Sequence, residues 1–168
     1  TIGAILDQWD PEVVRYFILA SHYRSPLDYS NENLRAAKYA LDGFYIALRG
    51  IAPRESGGGE EYEQNFHAAM EDDFNTPKAF AELSALVHAL NRAKAAGNSG
   101  EAERLAGILR RLGGVLGLLQ NDPEEHLKGN PRQDTTVDIT GVEATTAIGS
   151  VTVSTSPISD EMIEKLIT

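Results

Sequence analysis

The chain has 168 residues, enough to bury a core in one domain or two small ones, and its 42% apolar and 24% charged residues are the composition of a globular protein. Cysteine is absent, which excludes a disulfide framework, a cysteine nucleophile and a thiolate zinc site within the chain. Lys plus Arg number 15 against 25 Asp plus Glu, a net charge of −10, so any site for a polyanion has to be a local basic patch on an acidic body.

In chain order, residues 1–10 lack the basic start and apolar stretch of a signal peptide, and no later apolar run approaches the ~20 residues of a membrane span. A cytoplasmic protein without a membrane partner is expected. Asp10-Pro11-Glu12 is a helix start, with Asp as N-cap, Pro in the first helical position and an acid in the positive first turn. Val14, Phe17, Ile18 and Ser21 continue at helical spacing up to Pro26. Ser30 caps the next helix, whose apolar stripe is Leu34, Ala37, Leu41, Phe44 and Leu48 and which ends at Gly50. A second ridge of small residues, Ala36, Ala40, Gly43 and Ala47, predicts that another helix packs there as well.

Residues 51–59, with Pro53 and Gly57-Gly58-Gly59, read as a flexible connection. A helix over 60–72 buries Tyr62, Phe66, Ala69 and Met70. Asn75-Thr76-Pro77 starts the next, with Phe80, Leu83, Leu86, Val87 and Leu90 on one face and Gly97 at its end. From about Gly100 another helix turns Leu105, Ile108, Leu109, Leu112, Leu116 and Leu119 inward. Its glycines at 107, 113, 114 and 117 each cost about 1 kcal/mol against Ala and point to close backbone packing or an irregular end. Asp122-Pro123 opens a short last turn.

The character then changes. Val137-Asp138-Ile139-Thr140 and Val151-Thr152-Val153-Ser154 alternate apolar and polar residues, predicting a small β-hairpin or an irregular Thr/Ser-rich linker over 129–158. At Ser159 a helical stripe of Ile163, Leu166 and Ile167 begins and is under way at Thr168, so the chain reads as a piece of a longer protein. The fold class expected is all-α, a helical bundle followed by that small segment.

Chemistry-bearing constellations are scarce. The four histidines are dispersed, and no phosphate loop of the Gly-x-x-x-x-Gly-Lys kind occurs. Glu71-Asp72-Asp73 lies at a helix C-terminus, against the dipole. Three successive helical side chains point about 100° apart and do not converge on one metal ion, so Asp72 or Asp73 is expected to hydrogen-bond the amides of the helix opening at Pro77. His22 and Arg24 fall in a polar stretch joining two helices, where they meet either a phosphate backbone or local carbonyls and Asp28. Arg92, Lys94, Arg104, Arg110 and Arg111 outnumber Glu101 and Glu103, which makes that region the basic patch or else a solvated helix face.

Several segments together resemble one family. Met70-Glu71-Asp72-Asp73-Phe74-Asn75-Thr76-Pro77 is similar to the Met-x-Asp-Asp-Phe-Asn-Thr-Pro signature of the cysteinyl-tRNA synthetases, the ligases that join cysteine to its tRNA. Asp10-Pro11-Glu12-Val13-Val14-Arg15-Tyr16-Phe17 resembles the stretch after that family's second ATP-site motif, and His22 to Ser30 resembles the one that follows. The matches run in order over about residues 1–120. The Thr/Ser-rich stretch departs from the family.

The resemblance implies a division into the end of a stem-contact segment at 1–29, a DALR-type helical bundle at 30–128, the Thr/Ser-rich segment at 129–158 and the start of an anticodon-binding part at 159–168. It implies tRNA(Cys) and the enzyme's own catalytic domain as partners of a monomer, with tRNA contacts at His22, Arg24, Arg35, Lys38, Arg92 and Lys94. Asp10, Arg15, Asp72, Asp73, Phe74, Asn75, Thr76 and Pro77 would be structural. ATP and zinc are implied for the full-length enzyme, but the His-x-Gly-His and Lys-Met-Ser-Lys-Ser motifs are absent here, so no catalytic, cofactor or metal residue is expected within this chain. Two rivals remain: the related ligase that joins cysteine to an amino-sugar inositol in mycothiol synthesis, and a helical scaffold that binds protein alone.

Overall fold

Asp10 starts its helix as the sequence predicts, accepting the Glu12 amide at 2.7 Å with Pro11 in the first turn. Ser30, Asn75, Asn98 and Asp122 cap four further starts in the same way, each with a side-chain oxygen on an amide of the first turn. In the computed structural model, which describes residues 2–54 and 59–128, the helices are α1 (Ile2–Leu6), α2 (Pro11–Leu19), α3 (Asn31–Leu48), α4 (Glu60–Glu71), α5 (Thr76–Ala95), α6 (Ser99–Val115) and α7 (Pro123–Leu127). No strand occurs among the described residues. The fold is the expected all-α bundle. The alternating segments at 137–140 and 151–154 and the helical stripe from Ser159 lie outside the described residues.

Helices α4, α5 and α6 pack in succession, α5 against both neighbours, while α2 and α7 pack on α3, which also meets α5. The predicted stripes are the core. Leu34, Leu41 and Leu48 of α3, Phe66 of α4, Leu83, Leu86 and Leu90 of α5 and Leu105, Ile108, Leu109 and Leu112 of α6 are all buried.

Four expectations are corrected. Helix α2 ends at Leu19, well short of Pro26, and Ile18 within it is exposed; beyond it the His22 imidazole takes the Arg24 amide at 3.3 Å in place of a helical bond. The small-residue ridge of α3 is covered only at its end: Ala47 is buried, but Ala36 and Ala40 are exposed and a Cβ on Gly43 would meet nothing within 4 Å. Residues 51–54 are not a slack linker. The Arg54 amide donates to the Glu103 carbonyl at 3.0 Å, and the Arg54 carbonyl lies 2.2 Å from where a Cβ on Gly107 would be. The glycine on α6 is there because backbone passes over it. Finally, residues 2–6 form a helix that no pattern predicted, because so short a helix depends on its contact with α2.

The bundle's long-range closure is polar. The Glu12 carboxylate is 5% exposed and accepts the Tyr45 hydroxyl at 2.8 Å, the Leu119 amide at 2.5 Å and the Asn121 side-chain amide at 2.9 Å. Those bonds tie α2 to α3 and to the loop after α6. Leu119 has a left-handed backbone, φ 61°, and Arg15 holds the same loop through the Gly117 carbonyl at 2.8 Å. The His126 ring of α7 stacks on Tyr45 at 3.7 Å and bonds Asp42 at 2.9 Å.

Two outcomes follow from this cluster. Glu12→Ala strands the buried Tyr45 hydroxyl and Leu119 amide and opens a space, so urea unfolding is expected to show a loss of about 3–5 kcal/mol. Burial, then the bond to Glu12, raises the Tyr45 pKa well above 10, and burial also raises that of Tyr16. Raised folded values keep these contributions intact below the unfolded pKa of about 10 and remove them as pH climbs beyond it. An ultraviolet titration of the six tyrosines should find Tyr16 and Tyr45 ionising last, with stability falling above about pH 10.

Candidate nucleic-acid interface

The corner between α4 and α5 is built by residues far apart in sequence. After α4, Asp73 (φ 55°) and Phe74 (φ 51°) are two successive left-handed residues, neither of them glycine. The Phe74 amide returns to the Met70 carbonyl and the Asn75 amide to the Ala69 carbonyl, both at 3.1 Å, which closes the α4 C-terminus. Asn75 then caps α5 through the Lys78 amide at 3.2 Å. The capping expected of Asp72 or Asp73 therefore belongs to Asn75. Asn75 stands directly before the first residue of α5, while Asp72 closes α4 and Asp73 turns to Tyr23 and Arg24.

Asp73 accepts the Tyr23 hydroxyl at 2.7 Å and the Arg24 guanidinium at 3.2 Å, and Arg24 in turn donates to the Tyr23 hydroxyl at 2.8 Å. Contact with Tyr23, then with Asp73, raises the Arg24 pKa above its ordinary value. The His22 ring stacks on Tyr23 at 5.0 Å, and the Arg24 guanidinium carbon lies 5.4 Å from the Tyr23 centroid. Asp72 faces Lys78 at 3.8 Å. The buried Thr76 hydroxyl reaches toward the Ser21 carbonyl at 3.5 Å, and Pro77 stands in the first turn of α5. Thus His22, Arg24, Asp72, Asp73, Phe74, Asn75, Thr76 and Pro77 are gathered at one corner, whereas Asp10 and Arg15 serve the loop after α6.

The basic patch over 92–111 is largely neutralised. Arg104 grips Glu101 through two bonds of 2.8 and 2.5 Å, which raises the Arg104 pKa and lowers that of Glu101. Arg111 pairs with Glu63, and Arg110 donates to the Asn121 carbonyl at 2.7 Å. The Lys94 ammonium donates to the Ala47 and Arg49 carbonyls at 3.0 and 3.2 Å, neutralising the negative end of α3. Lys38 is paired with Asp42 at 2.6 Å. Arg35 and Arg92 are exposed and make no side-chain pairing among the described residues. The structure brings His22 and Arg24 together but leaves Arg35, Lys38, Arg92 and Lys94 on separate stretches of α3 and α5.

Sequence reasoning missed Tyr23, Glu12, Tyr45 and His126 as organisers. Glu12 stood in an N-terminal turn where an acid is ordinary, and only the glycines at 113, 114 and 117 hinted at the loop it holds. No helix among the described residues is long and apolar enough to cross a membrane. No three His, Asp or Glu side chains among them are close enough to hold a metal ion, and the chain has no cysteine, so the residues present do not fit the zinc site implied by the resemblance.

Comparison with known proteins agrees with this architecture. The DALR domain family matches residues 65–120, from α4 to the loop after α6. A cysteine–tRNA ligase of Thioalkalivibrio sulfidiphilus is 51% identical over 86% of the chain and 31% of its own length. Those of Nitrosococcus oceani and Pectobacterium carotovorum are 42% and 46% identical over 99% and 80% of the chain, and 35% and 29% of their own lengths. The chain therefore spans about a third of the length of the curated relatives it matches.

The α4–α5 corner yields one expected outcome. Asp73→Gly relieves a left-handed residue by about 1 kcal/mol while losing two exposed bonds of similar total worth, so stability should change by less than about 0.5 kcal/mol. Asp73→Ala loses the bonds and keeps the strain. Chemical denaturation should therefore rank Ala about 1 kcal/mol below Gly.

Proposed function

We propose, for a chain related to the C-terminal region of the cysteine–tRNA ligases, that it is the helical part of such a class I aminoacyl-tRNA synthetase that holds tRNA(Cys). The reading rests on that kinship, which runs along most of the chain rather than through one short motif. In the whole enzyme, ATP and cysteine would give an adenylate, and the cysteinyl group would pass to the terminal ribose of the tRNA. This chain performs no step of that chemistry. It positions the nucleic acid and adjoins the enzyme's own catalytic domain, as a monomer in the cytoplasm. Residues 1–29 act as the end of the stem-contact segment and 30–128 as the DALR-type bundle.

The tRNA contacts are phosphate contacts made on a body of charge −10, so they rest on few positions. Arg35 and Arg92 are the foremost, because their guanidiniums are exposed and unpaired among the described residues. His22 and Arg24 supply a second point at the α4–α5 corner. Lys38 and Lys94 add charge to the field around α3 and α5 while staying bonded to Asp42 and to the α3 carbonyls. The relatives compared are named for tRNA, and nothing in the structure favours the amino-sugar inositol reading.

A mobility-shift titration with a tRNA(Cys) transcript tests the proposal. Binding is expected at low salt and should fall steeply as salt rises. Arg35→Ala and Arg92→Ala should each reduce the slope of log affinity against log salt by about 1. Absence of binding at every salt concentration would return the chain to the protein-scaffold reading.

A further inference from the structure

Phe74 is in an unfavourable place for its side chain. It is 64% exposed, so it gains little from burial, and its left-handed backbone disfavours any residue with a Cβ. Gly or Asn would fit that conformation better. Neighbouring Asp73 shares the conformation but earns it through its bonds to Tyr23 and Arg24. Phe74 has no such return among the described residues. An apolar ring held in solvent at a cost to the fold is the signature of a contact made with something else.

The surroundings define what that is. Tyr23, 60% exposed, bonds through its hydroxyl to the carboxylate of Asp73, the residue before Phe74. His22 stacks on Tyr23, and the Arg24 guanidinium lies beside the same ring. Arg24 and Lys78 provide cationic ends on either flank of the corner in sequence, and their pairing with Asp73 and Asp72 leaves more than half of each basic side chain exposed. Exposed aromatic faces interleaved with a guanidinium are the chemistry that receives nucleobases freed from a duplex.

We propose that Phe74, with the His22–Tyr23 pair, is a stacking platform for an unpaired nucleotide of the bound tRNA, and that Arg24 and Lys78 receive its flanking phosphates. This rests on the tRNA-holding reading and adds the mode of contact: base stacking at the α4–α5 corner beside phosphate attraction at Arg35 and Arg92.

The test is binding of the 168-residue chain to a tRNA(Cys) transcript across a salt series, with Phe74→Tyr, Phe74→Leu and Phe74→Gly. Stacking predicts affinity within about twofold for Tyr and weakened about 5- to 150-fold for Leu and Gly, with an unchanged salt slope because no ion pair is removed. Phe74→Gly should melt no lower than the parent, which separates loss of binding from loss of fold. Wild-type affinity in Phe74→Leu would overturn the stacking role and assign the ring to a protein contact. A slope that falls along with the affinity would overturn it as well, by making the effect electrostatic. If the unsubstituted chain binds no tRNA at low salt, the tRNA-holding reading fails and the platform fails with it.

Discussion

Burying a carboxylate costs several kcal/mol unless its lone pairs are filled, and in this bundle one carboxylate is filled entirely by groups from other elements. Glu12 takes the Tyr45 hydroxyl from α3, the Leu119 amide from the loop after α6 and the Asn121 amide beyond it. No Lys or Arg is among these donors. The donors have to be delivered by position, so α2, α3 and the loop have only one mutual arrangement that satisfies them. The apolar stripes of α3 to α6 supply the bulk of the burial. They tolerate sliding by a fraction of a turn far better than this cluster does. The His126 ring on Tyr45 then extends the constraint to α7.

The α4–α5 corner depends on a similar logic in the open. Asp73 lies in a conformation that Gly would adopt more readily, and the Tyr23–Arg24 pair compensates by bonding its side chain. The segment after α2 is thereby fastened to the start of α5, and Thr76 reaches the Ser21 carbonyl beside it. Surface bonds of this kind are individually weak. Here they act together on a chain already turned by the α4 C-terminal bonds.

Local chemistry made much of this legible in the sequence. Asp10, Ser30, Asn75 and Asp122 cap where their residue types and the following prolines or acids said they would, and the apolar periods of α3, α5 and α6 name the core almost residue by residue. What escaped was pairing over distance. Glu12 with Leu119, Tyr23 with Asp73 and Lys94 with the α3 carbonyls have no signature in a local window, since each residue alone looks like an ordinary surface group. The same blindness inflated the basic patch: Arg104 and Arg111 count as free charges in a sequence, and only the fold shows Glu101 and Glu63 beside them. The open ridge of Ala36, Ala40 and Gly43 was misjudged for the opposite reason, because small residues permit a neighbour without supplying one.

The span of the Glu12 bonds also sets an order of events during synthesis. Residue 12 leaves the ribosome well before its partners, because its carboxylate is completed by amides 107 and 109 positions later. Until those arrive, α2 can lean on α3 through apolar contacts such as Tyr16 on Phe44, with a charged group at the seam that is better left in water. The α4–α5–α6 succession, built from neighbours in sequence, needs no such wait. On a translating ribosome the middle of this chain would therefore assemble before its beginning. Helix α2 would lock down only at the moment the loop after α6 clears the exit tunnel.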